Sequence, residues 1–72
     1  MNEELQLLYM QARLVRLATN EWGMTMSEVN EIFADNNVYG YIEKLWELFH
    51  MEGDMAVLDD IQDYLTNKGV NV

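Results

Sequence analysis

The segment closest to a reactive site is Asp35-Asn36-Asn37-Val38-Tyr39-Gly40-Tyr41-Ile42-Glu43. It has oxygen-bearing side chains at its first and third positions, glycine at the sixth and isoleucine at the eighth, as a calcium-binding loop does. The pattern fails where coordination is decided. Its fifth position is Tyr39 and its twelfth is Trp46, where a calcium loop needs an oxygen ligand and a bidentate carboxylate. The spacing therefore predicts a plain junction between two helices and no metal. Acid–base chemistry is as poorly supplied, because the chain has one histidine, no cysteine and carboxylates that fall on polar helix faces, where solvation is the ordinary state. His50 lies near a helix carboxyl end, where the helix dipole favours a cation, and reads as structural. No phosphate loop, nucleophile motif or cofactor fingerprint occurs. The expectation is a protein with no catalytic residues, no cofactor and no enzymatic activity.

The elements that carry these residues are helices throughout. The chain has no proline, no repeat and no linker, and its apolar spacing predicts an all-α domain of four helices near residues 3–22, 26–34, 38–51 and 55–67. Thr25 and Glu28 have capping-box spacing at the start of the second helix, with Met24 and Val29 as the hydrophobic staple around it. That helix buries Val29, Ile32 and Phe33. It ends at Asp35-Asn36-Asn37, whose side chains compete for backbone hydrogen bonds, and Asn37 caps the third helix. The third helix places Val38, Tyr41, Ile42, Leu45, Leu48 and Phe49 on one face, with Gly53 as its stop. The fourth is capped by Asp54, turns Val57, Leu58, Ile61, Tyr64 and Leu65 inward and Asp59, Asp60 and Asp63 outward, and closes at Lys68-Gly69. Asp59 and Gln62 also have capping-box spacing, which leaves open an extended Met55–Leu58 and a later start.

The first helix differs, since its apolar residues cover roughly two-thirds of its circumference at about 100° per residue. Its polar wedge is narrow and holds Gln6, Arg13, Arg16 and Asn20, with Tyr9 among them. A helix packed on one side of a monomer needs a stripe little over half that wide, so Leu7, Met10, Leu14 and Leu17 are the expected self-association face of a homodimer. A chain of 72 residues makes one domain with an economical core, and without disulfides or zinc it is expected to be completed by oligomerisation.

Charge narrows the partners. Thirteen acidic residues against four basic ones give a net charge of −9, which repels phosphate backbones and anionic membranes alike, so direct nucleic-acid binding is not expected. The second and third helices could be taken for a DNA-binding helix-turn-helix, yet a recognition helix at Val38 to His50 would present Glu43 and Glu47 with Lys44 as its one cation. Both arginines sit on the first helix, whereas residues 23–72 carry ten acids and two lysines, a net −8. No apolar run reaches the roughly 18 residues of a membrane span, and the opening Asn2-Glu3-Glu4 lacks the basic region of a signal peptide, so a cytoplasmic protein is expected. Tyr39, Trp46 and His50 lie beside the core stripe of the third helix, on its Glu43 side. Aromatic residues at a core margin either widen the core or anchor an interface, and this stripe is the candidate partner-binding surface.

The run Val38-Tyr39-Gly40-Tyr41-Ile42-Glu43-Lys44-Leu45-Trp46-Glu47-Leu48-Phe49-His50, then Gly53, then Val57-Leu58-Asp59-Asp60-Ile61-Gln62-Asp63-Tyr64-Leu65, resembles domain-of-unknown-function family 3791, a family of short bacterial proteins. The likeness covers roughly residues 24–65, with Ser27-Glu28-Val29 similar to the family's start of the second helix, while the first helix is similar only in being apolar. These motifs are structural rather than chemical. Members of the family are often encoded beside proteins that look like ADP-ribosyltransferase toxins, so the resemblance implies an antitoxin-like partner. Three functions follow as expectations: a protein-interaction module of that kind, a purely self-associating structural protein, and a small regulator acting through another DNA-binding protein.

Overall fold

Each helix boundary can be traced to a local backbone requirement in the computed structural model, which describes residues 2–72. Five helices follow one another: α1 Glu3–Trp22, α2 Met26–Asp35, α3 Val38–Lys44, α4 Trp46–Phe49 and α5 Asp54–Asn67. No strand occurs among the described residues. Asn2 starts α1 by accepting the Leu5 N–H at 2.9 Å on its Oδ1, which satisfies one of the orphan donors of the first turn. Gly23 ends α1 in the left-handed region at φ 65°, a conformation that glycine adopts without a Cβ penalty. The Thr25–Glu28 capping box is present in both directions, with Glu28 N–H donating to Thr25 Oγ1 at 3.1 Å and Thr25 N–H to Glu28 Oε1 at 2.9 Å. That second bond, followed by the Thr25 side chain, holds the Glu28 carboxyl below its ordinary value.

The expected third helix is broken in two at Leu45, whose φ of −101° and ψ of 17° leave the helical region. The break shifts the register of the last turn. Phe49 is fully buried and Trp46 half-buried, while Leu48, expected in the core, is 53% exposed. Gly53 does not stop this helix; at φ −74° and ψ 155° it is extended and precedes α5 as its N-cap. Asp54 is therefore the first residue of α5 rather than its cap. Asn37 precedes α3 in the left-handed region at φ 55° and makes no side-chain cap, contrary to expectation, because that backbone turn swings its amide over Gly40 instead. Met55–Leu58 is helical, which sets aside the extended alternative: Val57, Leu58, Ile61 and Leu65 are all buried and share one helical face. A Schellman closure ends α5, with Gly69 N–H donating to Thr66 O and Val70 N–H to Leu65 O, each at 2.9 Å.

The core joins α1, α2, α3, α4 and α5 around Phe33 and Phe49. The self-association face expected on α1 is largely interior. Met10 is 3% exposed and Leu14 is fully buried, and Leu7 and Leu17 are half-buried against the same core. The reason is that α2, α3 and α5 all pack on α1. At about 100° per residue, the inward residues from Leu17 through Leu14 to Val15 span about 160° of its circumference. The wide apolar arc is consumed inside one chain, and what remains outside is Leu5, Leu8 and Tyr9.

Candidate functional site

The aromatic stripe expected at the margin of the third helix divides between two settings. Tyr39 belongs to the interior side. Its hydroxyl donates to Asn30 Oδ1 at 2.6 Å, its ring meets Phe33 edge-on at 5.5 Å, and its carbonyl accepts from Gln11 Nε2 at 3.2 Å. Burial raises its phenol above the ordinary value. These contacts tie α3 to α2 and α1, so Tyr39 is a packing residue first.

Trp46 and His50 stay together on the open side. Their rings stack with centroids 5.0 Å apart and planes 23° from parallel, and His50 Nδ1 lies 2.8 Å from the Trp46 carbonyl oxygen. The spacing of four residues on α4 and its C-cap makes both contacts possible. Because a carbonyl oxygen only accepts, Nδ1 is the donor of this contact.

Across from this pair stands the polar wedge of α1. Gln6, Tyr9 and Arg13 join Trp46 and His50 around an open concavity of about 430 Å³. On one side it shares Trp46 with a smaller hollow lined by Glu3, Glu4, Leu7 and Glu43. On the other it shares Arg13 with a hollow of about 540 Å³ lined by Arg16, Leu17, Asn20, Gly53, Asp54 and Met55. Together they form a trough along α1, acidic at its Glu3–Glu43 end and basic at its Arg16 end. Arg13 Nε donates to Asp54 Oδ2 at 3.0 Å, which fixes the first turn of α5 against α1 and neutralises one of the two arginines.

The trough can stack, hydrogen-bond and attract charge. Around His50 there is no serine, threonine, cysteine or carboxylate among the lining groups, and among the described residues no three His, Cys, Asp or Glu side chains gather as a metal site would require. The calcium-like segment is the end of α2, a two-residue junction and the whole first part of α3, a geometry without a loop to wrap an ion. Sequence reasoning singled out Trp46 and His50 but missed their opposite wall. The signal was present in the wedge of Gln6, Tyr9, Arg13, Arg16 and Asn20, which lines the trough almost residue for residue.

A second polar cluster joins the α2–α3 junction, α3 and α5. Tyr41 donates to Asp60 Oδ1 at 2.8 Å and stacks on Tyr64 at 4.0 Å between centroids. Tyr64 and Lys68 both donate to the Asn36 carbonyl, at 2.9 and 3.2 Å, and the Lys68 ammonium lies 4.9 Å from the Tyr64 ring centroid. Asp60, expected in water, is drawn half into the structure by the Tyr41 hydroxyl. This cluster locks the α2–α3 junction onto α5 and is structural.

These features define a small acidic helical domain with an aromatic trough and no assembled reactive centre among the described residues. The chain belongs to the family described as Protein of unknown function (DUF3791), whose profile matches residues 9–68. The match extends beyond the stretch from residue 24 to 65 and takes in most of α1, including the trough wall from Tyr9 to Asn20. No curated protein and no solved structure matches the chain. No helix is long and apolar enough to cross a membrane among the described residues.

Proposed function

We propose that this chain is a protein-interaction module, an antitoxin-like partner that holds a basic protein segment in the trough between α1 and α4. The observation that carries this reading is the stacked Trp46–His50 pair facing Tyr9 and Arg13 across an open concavity. Aromatic side chains at the floor of a groove, with polar groups at the rim, are the usual anchors of protein recognition. Charge selects the class of partner: the chain carries a net −9, and Glu3, Glu4 and Glu43 crowd one end of the groove, so a cationic segment is favoured in approach and in register. The antitoxin-like form of the reading rests on the family resemblance.

Affinity purification from the native host at native expression, followed by mass spectrometry, tests it. The expected result is one stoichiometric basic protein that elutes as salt rises, because attraction between exposed charges is screened within about 8 Å at physiological ionic strength. Recovery of the chain alone, or of a partner whose retention ignores both salt and substitution at His50, would remove the support for this reading.

A further inference from the structure

The trough has one end that a purely basic segment does not fit. Arg13 and Arg16, the only arginines of the chain, both line the hollow of about 540 Å³ next to the Trp46–His50 concavity, and Arg13 borders the two hollows alike. Their charges are differently engaged. Arg13 is held by Asp54, Nε to Oδ2 at 3.0 Å, whereas Arg16, exposed and one turn further along α1, has no ion pair and no side-chain hydrogen bond among the described residues. The rest of the wall carries no further charge: Leu17 is half-buried, Met55 is 44% exposed, and Asn20 is neutral. Two guanidiniums against one carboxylate leave this hollow positive, in a chain whose net charge is −9.

We infer that the protein segment held in the trough is dipolar: beyond its basic part it carries a carboxylate side chain that pairs with Arg16, and next to that an apolar side chain that lies between Leu17 and Met55. Charge complementarity carries this. A lysine or arginine of the segment placed here would meet an unpaired guanidinium, while a carboxylate would meet a planar donor fork able to bind it through two parallel hydrogen bonds. Glu3, Glu4 and Glu43, which draw the basic part, stand at the opposite end of the trough, so the two charges fix the direction in which the segment lies as well as its place. Leu17, Met55 and the aliphatic stem of Arg16 give the neighbouring side chain apolar surface to cover. From Glu3 to Arg16 is about 20 Å along the helix, a distance that about eight extended residues span. The inference rests on the trough as the docking groove and adds the chemistry of the far end of its occupant.

NMR titration of the full chain with acetylated, amidated peptides of about eight residues tests this. Each peptide has a lysine pair at one end, leucine and glutamate at the other and glycine between, and is made in both orders of sequence. The Nε–H signal of Arg16 and the indole N–H signal of Trp46 report the hollow and the aromatic pair separately. One order should bind at up to about 1 mM peptide and move both signals. Glutamine in place of the peptide's glutamate should weaken binding by about three- to fivefold, and lysine should weaken it further. Arg16→Gln, a change at an exposed position, should make the glutamate and glutamine peptides bind alike. A lysine-ended peptide that moves Trp46 and binds as tightly as the glutamate-ended one would overturn the inference and leave the trough reading standing. An unmoved Trp46 signal with every peptide would overturn the trough reading, and the inference with it. Inorganic phosphate that moves the Arg16 signal as far as the glutamate peptide does at equal concentration would assign the hollow to small anions and overturn the dipolar segment.

Discussion

Tyr41 donates its phenolic hydrogen to Asp60 Oδ1 at 2.8 Å, joining α3 to α5. Burial, then this hydrogen bond and the Asp60 charge, push the Tyr41 phenol from 10.0 up to about 12. A phenol whose folded pKa is raised holds its proton longer in the folded state than in the unfolded one. The stability it contributes is complete below pH 10 and is lost as pH rises towards 12. Thermal melts should therefore fall steeply across that window. Tyr41→Phe should cost about 1–2 kcal/mol near neutrality, by orphaning a half-buried carboxylate, and should flatten the alkaline loss to the remainder from Tyr39, whose phenol is also raised by burial. An alkaline profile unchanged by Tyr41→Phe would contradict this assignment.

Leu14 is fully enclosed at the centre of α1. Leu14→Ala should cost about 2–5 kcal/mol through lost burial and a residual cavity, a large part of the stability of a domain this small. Leu14→Glu should leave the chain unfolded, because it buries an unpaired charge. Urea denaturation measures both. A folded monomer from Leu14→Glu would mean that Leu14 faces an interface after all.

Thr25→Ala removes the hydroxyl that accepts the Glu28 N–H. The expected cost is about 0.5–2 kcal/mol, read as a lower melting midpoint. The variant keeps the backbone bond from Thr25 N–H that chiefly holds the Glu28 carboxyl below its ordinary value, so the stability this carboxylate contributes should be lost in parent and variant alike as pH falls through its folded pKa. An unchanged midpoint would mean that tertiary contacts alone hold the start of α2.

The capping box was legible because Thr25 and Glu28 act within one turn, on backbone groups three residues away. The inward faces of α2 and α5 were legible for a similar reason, since 3.6-residue periodicity is written along one element. What stayed hidden depended on two elements at once. The sequence marks Leu45 with no proline or glycine, yet the helix breaks there, and Phe49 beyond the break is fully buried in the core. The width of the apolar arc on α1 was visible. Whether it faced a second copy or three helices of its own chain depended on how α2, α3 and α5 wrap it. The trough was half-legible for the same reason: Trp46 and His50 stood out on one helix, Gln6, Tyr9 and Arg13 formed a wedge on another, and nothing local says that the two face each other.

Calcium should not bind. Asp35 and Asn37 lie at the end of α2 and at a left-handed junction, with Gly40 already inside α3, so the oxygens that an ion requires at 2.3–2.6 Å do not converge. Titration followed by the fluorescence of Trp22 and Trp46 should give a flat trace. A saturable change at micromolar calcium would show that the segment refolds around the ion.

The most direct test of the trough is a fluorescence titration of the chain with the protein it captures, in a Trp22→Phe background so that Trp46 alone reports. Binding should change the Trp46 emission saturably. His50→Ala, which removes the stacked imidazole while leaving the exposed C-cap of α4 folded, should weaken the affinity by about tenfold or more, the effect of losing one interface anchor. A captured protein that binds His50→Ala as tightly as the parent, and leaves the Trp46 emission unchanged in both, would contradict the assignment of this groove as the docking site.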